Sequence, residues 1–149
     1  DALPIFGEIA AEQGGVDVEL AAGRLPLQAQ LVSVDMLGRE AQAIPLYQKA
    51  IRLGLSETSL RGAWLGLGSS YRCTGQYAEA LATFDEALAR FPDATEFRVF
   101  RAMACYNLGH HKEGMETLLA VLAETTADPA LVPCRRAMAL YAEDLDRCW

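Results

Sequence analysis

Cys105 and His110 come nearest to a nucleophile–base pair in this chain, five residues apart across an expected turn. A thiol beside an imidazole is a minimal unit for covalent catalysis, but it needs a third group to orient the base. No serine, cysteine or carboxylate constellation in a preorganised loop accompanies it, so no catalytic residue is assigned. His110 and His111 are the only histidines. Being adjacent, they point in different directions on a helix, whereas a helical metal pair wants a spacing of three or four. They are expected at the surface or in a turn, with no metal. Arg98 and Arg101 lie one helical turn apart and have the chemistry of a carboxylate clamp. In an acidic chain, ion pairs with neighbouring carboxylates are their expected use. Gly62, Gly66 and Gly68 precede Ser69-Ser70, as in a phosphate-cradling loop. That loop needs a strand before it and a lysine after it, and both are missing. Trp64 and Leu67 keep helical spacing here, so close helix packing is the expected role of these glycines. Gly62-x-x-x-Gly66 is too short and polar a segment for membrane dimerisation.

Cys73, Cys105, Cys134 and Cys148 form no C-x-x-C pair. Zinc sites and disulfide frameworks require clustered spacing. Buried free thiols in a reducing compartment are expected, and with them a cytoplasmic address. The acidic run Glu143-Asp144-Leu145-Asp146 reads as the solvated face of a last helix, or as a docking surface for a basic partner. No cofactor is implied.

The elements that carry these residues follow from composition and pattern. The 149 residues fit one domain, and 52% hydrophobic residues suffice for a core. A net charge of −7 excludes the basic face that nucleic acid or an anionic membrane requires. No apolar run approaches the ~20 residues of a membrane span. The 25 alanines favour helix. The chain opens at Asp1 without an initiator methionine and reads as a fragment or processed product. Its first residues, which look like a translated sequencing adapter, are given no functional weight. Residues 1–23 form a poorly patterned lead-in with no signal-peptide pattern.

The rest repeats. Gly38-Arg39-Glu40-Ala41-Gln42-Ala43-Ile44, Gly75-Gln76-Tyr77-Ala78-Glu79-Ala80-Leu81 and Gly109-His110-His111-Lys112-Glu113-Gly114-Met115 start at glycines 37 and then 34 residues apart. Each is flanked by apolar helical stretches, so the unit is helix, tight turn, helix. In the middle unit Trp64, Leu67, Gly68 and Tyr71 share one face of the first helix. Gly75 suits the turn. Ala80, Phe84 and Ala87 form the stripe of the second helix, which Pro92 stops. Asp93 with Glu96 forms a capping box for the next helix. Gly68 and Ala80 are small where helices must approach closely, and Trp64 is expected in the core.

Trp64, Leu67, Gly68, Tyr71, Ala80, Phe84, Ala87 and Pro92 together resemble a full tetratricopeptide repeat. The chain is similar to small bacterial single-domain proteins with about three such repeats, here near 24–60, 61–94 and 95–128. The resemblance implies an all-α solenoid of antiparallel helix pairs. The first repeat keeps Leu27, Gly38, Ala43, Tyr47 and Ala50, departs at Gln30 and Leu31, and carries Pro45 inside its second helix. Its connection to the next repeat, from Gly54 to Ser59, is long. The third keeps Ala102, Gly109, Gly114 and Leu118, with Arg98 and Arg101 where tryptophan and leucine are usual. Asp128-Pro129 opens a capping helix over about 130–146, with an apolar stripe of Ala137, Leu140, Tyr141 and Leu145.

The resemblance further implies a concave groove lined by the first helix of each pair, which takes a protein or peptide partner. Its positions are Gln28, Val32, Asp35 and Met36 in the first repeat. They are Leu65, Ser69, Arg72 and Cys73 in the second, and Val99, Met103, Tyr106 and Asn107 in the third. The set is mixed and rather apolar. It lacks the lysines and asparagines with which some members clamp a C-terminal carboxylate, so an amphipathic helix or apolar peptide is the expected occupant. The groove is alternatively filled by residues 1–23 or by the capping helix. Competing functional readings are a self-associating homodimer and a secretion-type chaperone holding an apolar client segment.

Overall fold

The computed structural model describes residues 40–148. The expected first helix of the first repeat, with Gln28, Val32, Asp35 and Met36, therefore lies outside the described residues, as do the lead-in and Gly38. Among the described residues the elements are all helical. None of these helices is long and apolar enough to cross a membrane. The chain divides into two compact units, residues 1–76 and 77–149.

In the first unit, α1 (Glu40–Arg52) packs on α2 (Glu57–Cys73). Ala43, Tyr47 and Ala50 recur at helical spacing on α1 and meet Ala63 and Leu67 of α2. The α1 helix continues through Pro45. Gly54, at φ 71°, turns the chain after α1. Ser56 then caps α2, its Oγ accepting from the Ser59 amide, and Glu57 places a carboxylate in the first turn. The connection is thus shorter than expected, because Glu57–Ser59 are already helical. Trp64 is only half-buried, and one close approach of α1 to α2 lies at Gly66. A Cβ built there would lie 2.2 Å from Tyr47 Cζ.

The second unit stacks four helices in succession: α3 (Tyr77–Arg90), α4 (Thr95–Asn107), α5 (His111–Thr125) and the short α6 (Arg135–Tyr141). Ala80, Phe84 and Ala87 are fully buried on α3, as the stripe requires. Pro92 follows the end of α3. Asp93 does not cap α4; Ala94 holds that position, with no side-chain cap. The third repeat replaces its missing tryptophan one residue earlier. Phe97 is fully buried and packs 6.0 Å from Phe91, while Phe100 packs 6.1 Å from Phe84. Gly114 lets α5 approach α4 closely, since a Cβ there would lie 2.9 Å from the Ala102 carbonyl oxygen.

The C-terminal segment departs most from expectation. Asp128 does accept the Ala130 amide at 2.8 Å. Pro133, which has no amide hydrogen to donate, sits where the long helix should run. The chain instead makes a 3-10 turn at Val132–Cys134 and only seven residues of α6. Ala137, Leu140, Tyr141 and Leu145 are exposed, not packed inward. The acidic run is not a free face either. Lys112 on α5 pairs with Asp144 and, at 2.8 Å, with Asp146, and the Leu145 amide donates to Glu116.

Candidate functional site

The expected groove positions fall on both units. On α2, Leu65 and Ser69 are buried, at 8% and 9% exposure, and Arg72 is half-buried. Among the described residues Ser69 Oγ has no hydrogen-bond partner. On α4, Val99, Met103 and Tyr106 recur at i, i+4 and i+7 and share one stripe, with Asn107 beside it. Val99, Met103 and Asn107 are half-buried, and Tyr106 is 66% exposed. The Tyr106 ring rests 4.9 Å from the His111 ring, which holds its flat face at the start of α5.

The turn between α4 and α5 assembles a second group of residues. Gly109 adopts φ 83°, and the His110 amide donates to the Cys105 carbonyl at 2.9 Å while the Gly109 amide donates to Tyr106. This is a Schellman motif, which brings together the residue three before the helix's C-cap, Leu108, and the residue two after it. The same bonds close the turn at Gly75, between Tyr71 and Gln76. Here the paired residues are Cys105 and His110. His110 is also the N-cap residue of α5, so Glu113, in its first turn, folds back over it. The ligand-type atoms of Cys105, His110 and Glu113 all lie within 4.8 Å of one another. Glu113 is the member that sequence reasoning missed, although its place three residues after a helix-starting cap was readable.

Arg101 joins this group. Its guanidinium bonds Asp85 and Glu113, each at 2.6 Å, and points Nη1 at Cys105 Sγ at 3.5 Å. Burial opposes its charge, yet the two carboxylate hydrogen bonds outweigh burial and raise its pKa. Burial pushes the Cys105 thiol up, and Arg101 beside it offsets only part of this. A thiol held protonated at neutral pH is the opposite of an activated nucleophile. Arg98 pairs with Glu124 in a two-pronged contact whose hydrogen bond lowers the Glu124 pKa. Both arginines line an open cleft of about 420 Å³ with Leu88, Glu116 and Thr117, but both are engaged by carboxylates. The four cysteines are free, and only Cys105 is buried, contrary to the expectation that the thiols lie in the core.

The helix-turn-helix succession, the positive-φ glycines and the small residues at helix contacts agree with comparison to known proteins. The sequence profile described as "Tetratrico peptide repeat" matches residues 27–145. The chain is similar to Superkiller protein 3 of Saccharomyces cerevisiae, 26% identical over 89 residues, which cover 60% of this chain. It is also similar to Superkiller protein 3 of Schizosaccharomyces pombe, 33% identical over 82 residues, covering 55% of this chain. The matched segments span only 6% of the length of those relatives. Proteins built from this repeat generally serve as protein-interaction modules. With the profile covering most of its length, the chain belongs to the tetratricopeptide-repeat family.

Proposed function

We propose that this chain is a non-catalytic interaction module, with repeats at about 24–60, 61–94 and 95–128, that holds a peptide or partner helix along the first helices of its repeats. The observation that carries the reading is the α4 stripe. Tyr106 is largely exposed on a helix whose other large aromatic residues are more covered, and Met103 and Val99 extend the same stripe. An aromatic ring with a polar tip, beside an adaptable thioether, suits the apolar side of a peptide.

The test is affinity capture with wild type and with a Met103→Glu/Tyr106→Ala bait of matched helicity. The captured partner is then purified, and its affinity for both forms is measured. The reading expects the double variant to lose at least tenfold in affinity, about 1.4 kcal/mol. Equal affinities would remove the site from α4. Self-association has its own observation in its favour. Met115, Leu118 and Leu122 form an exposed apolar stripe on α5, at 57%, 37% and 40% exposure. A concentration-dependent molar mass that Leu118→Asp abolishes would favour it.

A further inference from the structure

We propose that Cys105, His110 and Glu113 form a binding site for one borderline-soft divalent metal ion, of the zinc type, at the α4–α5 turn. The thiolate, imidazole and carboxylate are the three donor types that such an ion accepts together. Their atoms lie within 4.8 Å of one another. Ligands around a tetrahedral zinc stand about 3.3–3.8 Å apart, from bonds of about 2.0–2.3 Å. The donors must therefore close in by about 1 Å. His110 and Glu113 are exposed and can move, while Cys105 is fixed at the end of α4.

The backbone already holds the donors in register. The Schellman bond from the His110 amide to the Cys105 carbonyl fixes the first two, and the α5 N-terminus fixes the third. The carboxylate of Glu113 is divided between two tasks. Its Oε1 accepts from Arg101, and its Oε2 faces His110 Nδ1 at 3.9 Å. Oε2 is the free donor for a metal, and Arg101 orients the carboxylate from behind, as outer-shell partners do in metal sites. Arg101 Nη1 also donates toward Sγ. With the thiol proton displaced, Cys105, Glu113 and Asp85 outweigh Arg101 by two negative charges, which a divalent ion balances. Three protein donors leave a fourth position open to water or to a donor from a partner. Bound metal would pin the α4–α5 turn, one residue from Tyr106 on one side and beside His111 on the other.

The exposed Cys73, Cys134 and Cys148 are first changed to serine, so that no other thiol competes. The full chain is then titrated with Co²⁺ and Zn²⁺ after chelation and reduction. The proposal expects one Co²⁺ per chain, a thiolate-to-cobalt charge-transfer band, and displacement of Co²⁺ by Zn²⁺. Cys105→Ala should abolish the band, and His110→Gln and Glu113→Gln should each weaken binding at least tenfold. His110 is exposed, so His110→Gln decides the matter even if the Cys105 variant folds poorly. Absence of the band in the parent, or equal affinity in parent and His110→Gln, would overturn the site.

Discussion

Gly66→Ala and Gly62→Ala make the same chemical change one helical turn apart on α2, and the structure assigns them opposite signs. In a helix, alanine is favoured over glycine by ~1 kcal/mol. At Gly62 nothing lies within 4 Å of the added Cβ, so that gain stands alone. At Gly66 the Cβ would meet Tyr47 Cζ at 2.2 Å, Cε1 at 2.4 Å and Oη at 2.6 Å. An ordinary contact begins near 3.4 Å, so the ring must retreat by more than 1 Å. It cannot do so freely, because Tyr47 is 5% exposed and packed among Ala43, Ala50, Ala63 and Leu67. Overpacking of this kind costs ~1–3 kcal/mol, and the upper half is expected for a stiff ring met at three atoms. The net prediction is a loss of ~1–2 kcal/mol for Gly66→Ala, against a gain of up to ~1 kcal/mol for Gly62→Ala. Urea unfolding followed by circular dichroism would separate the two. Tyr47→Leu, which removes the clashing atoms, should lessen the cost of Gly66→Ala in a double-mutant cycle. If Gly66→Ala were as stable as Gly62→Ala, the described packing of α1 on α2 would be refuted.

Other consequences are equally direct. Phe84→Ala should destabilise by ~3–5 kcal/mol, since the ring is fully buried, and Trp64→Ala by clearly less, since that ring is half-buried; both are read from chemical denaturation. Gly109→Ala meets no atom, yet it must hold φ 83°, so thermal melts should show a loss of ~1–2 kcal/mol from backbone strain alone. The Arg98–Glu124 pair lowers the Glu124 pKa, so its contribution is present above the ordinary glutamate value of 4.5 and fades as pH falls through the lowered value. Because both side chains are partly exposed, Glu124→Gln should cost no more than ~1 kcal/mol at neutral pH. The difference from wild type should vanish in acid.

Where the sequence was legible, local rules and packing agreed. Gly75 and Gly109 were readable as turn residues because only glycine takes their φ cheaply. The Ala80-Phe84-Ala87 stripe was readable because alternatives to burying it are few. The aromatic of the third repeat was hidden by a one-residue shift, with Phe97 taking the place expected of position 98. The last helix is shorter than the alanine-rich pattern implies because Pro133 outweighs the propensity of the alanines around it. The ion pairs of Lys112 with Asp144 and Asp146 join residues more than thirty apart, which no periodicity reveals. The Cys105–His110–Glu113 group was half legible. Two members were read as a pair across a turn, but the third requires knowing that His110 ends one cap and begins another. The exposure of Cys73 depends on which face of α2 is covered, and Cys134 and Cys148 lie outside the α-helices expected to bury them, in a 3-10 turn and beyond α6; composition encodes neither.

Photocrosslinking from the α4 stripe tests the central claim most directly. A benzophenone amino acid is placed at Tyr106, and in a control at Glu86, an exposed position on α3. Each form is irradiated with the partner identified by capture. A protein-interaction module that binds along α4 predicts a crosslink from position 106 and none from 86, abolished by Met103→Glu. Crosslinking from position 86 alone, or from 106 with equal yield in Met103→Glu, would contradict it.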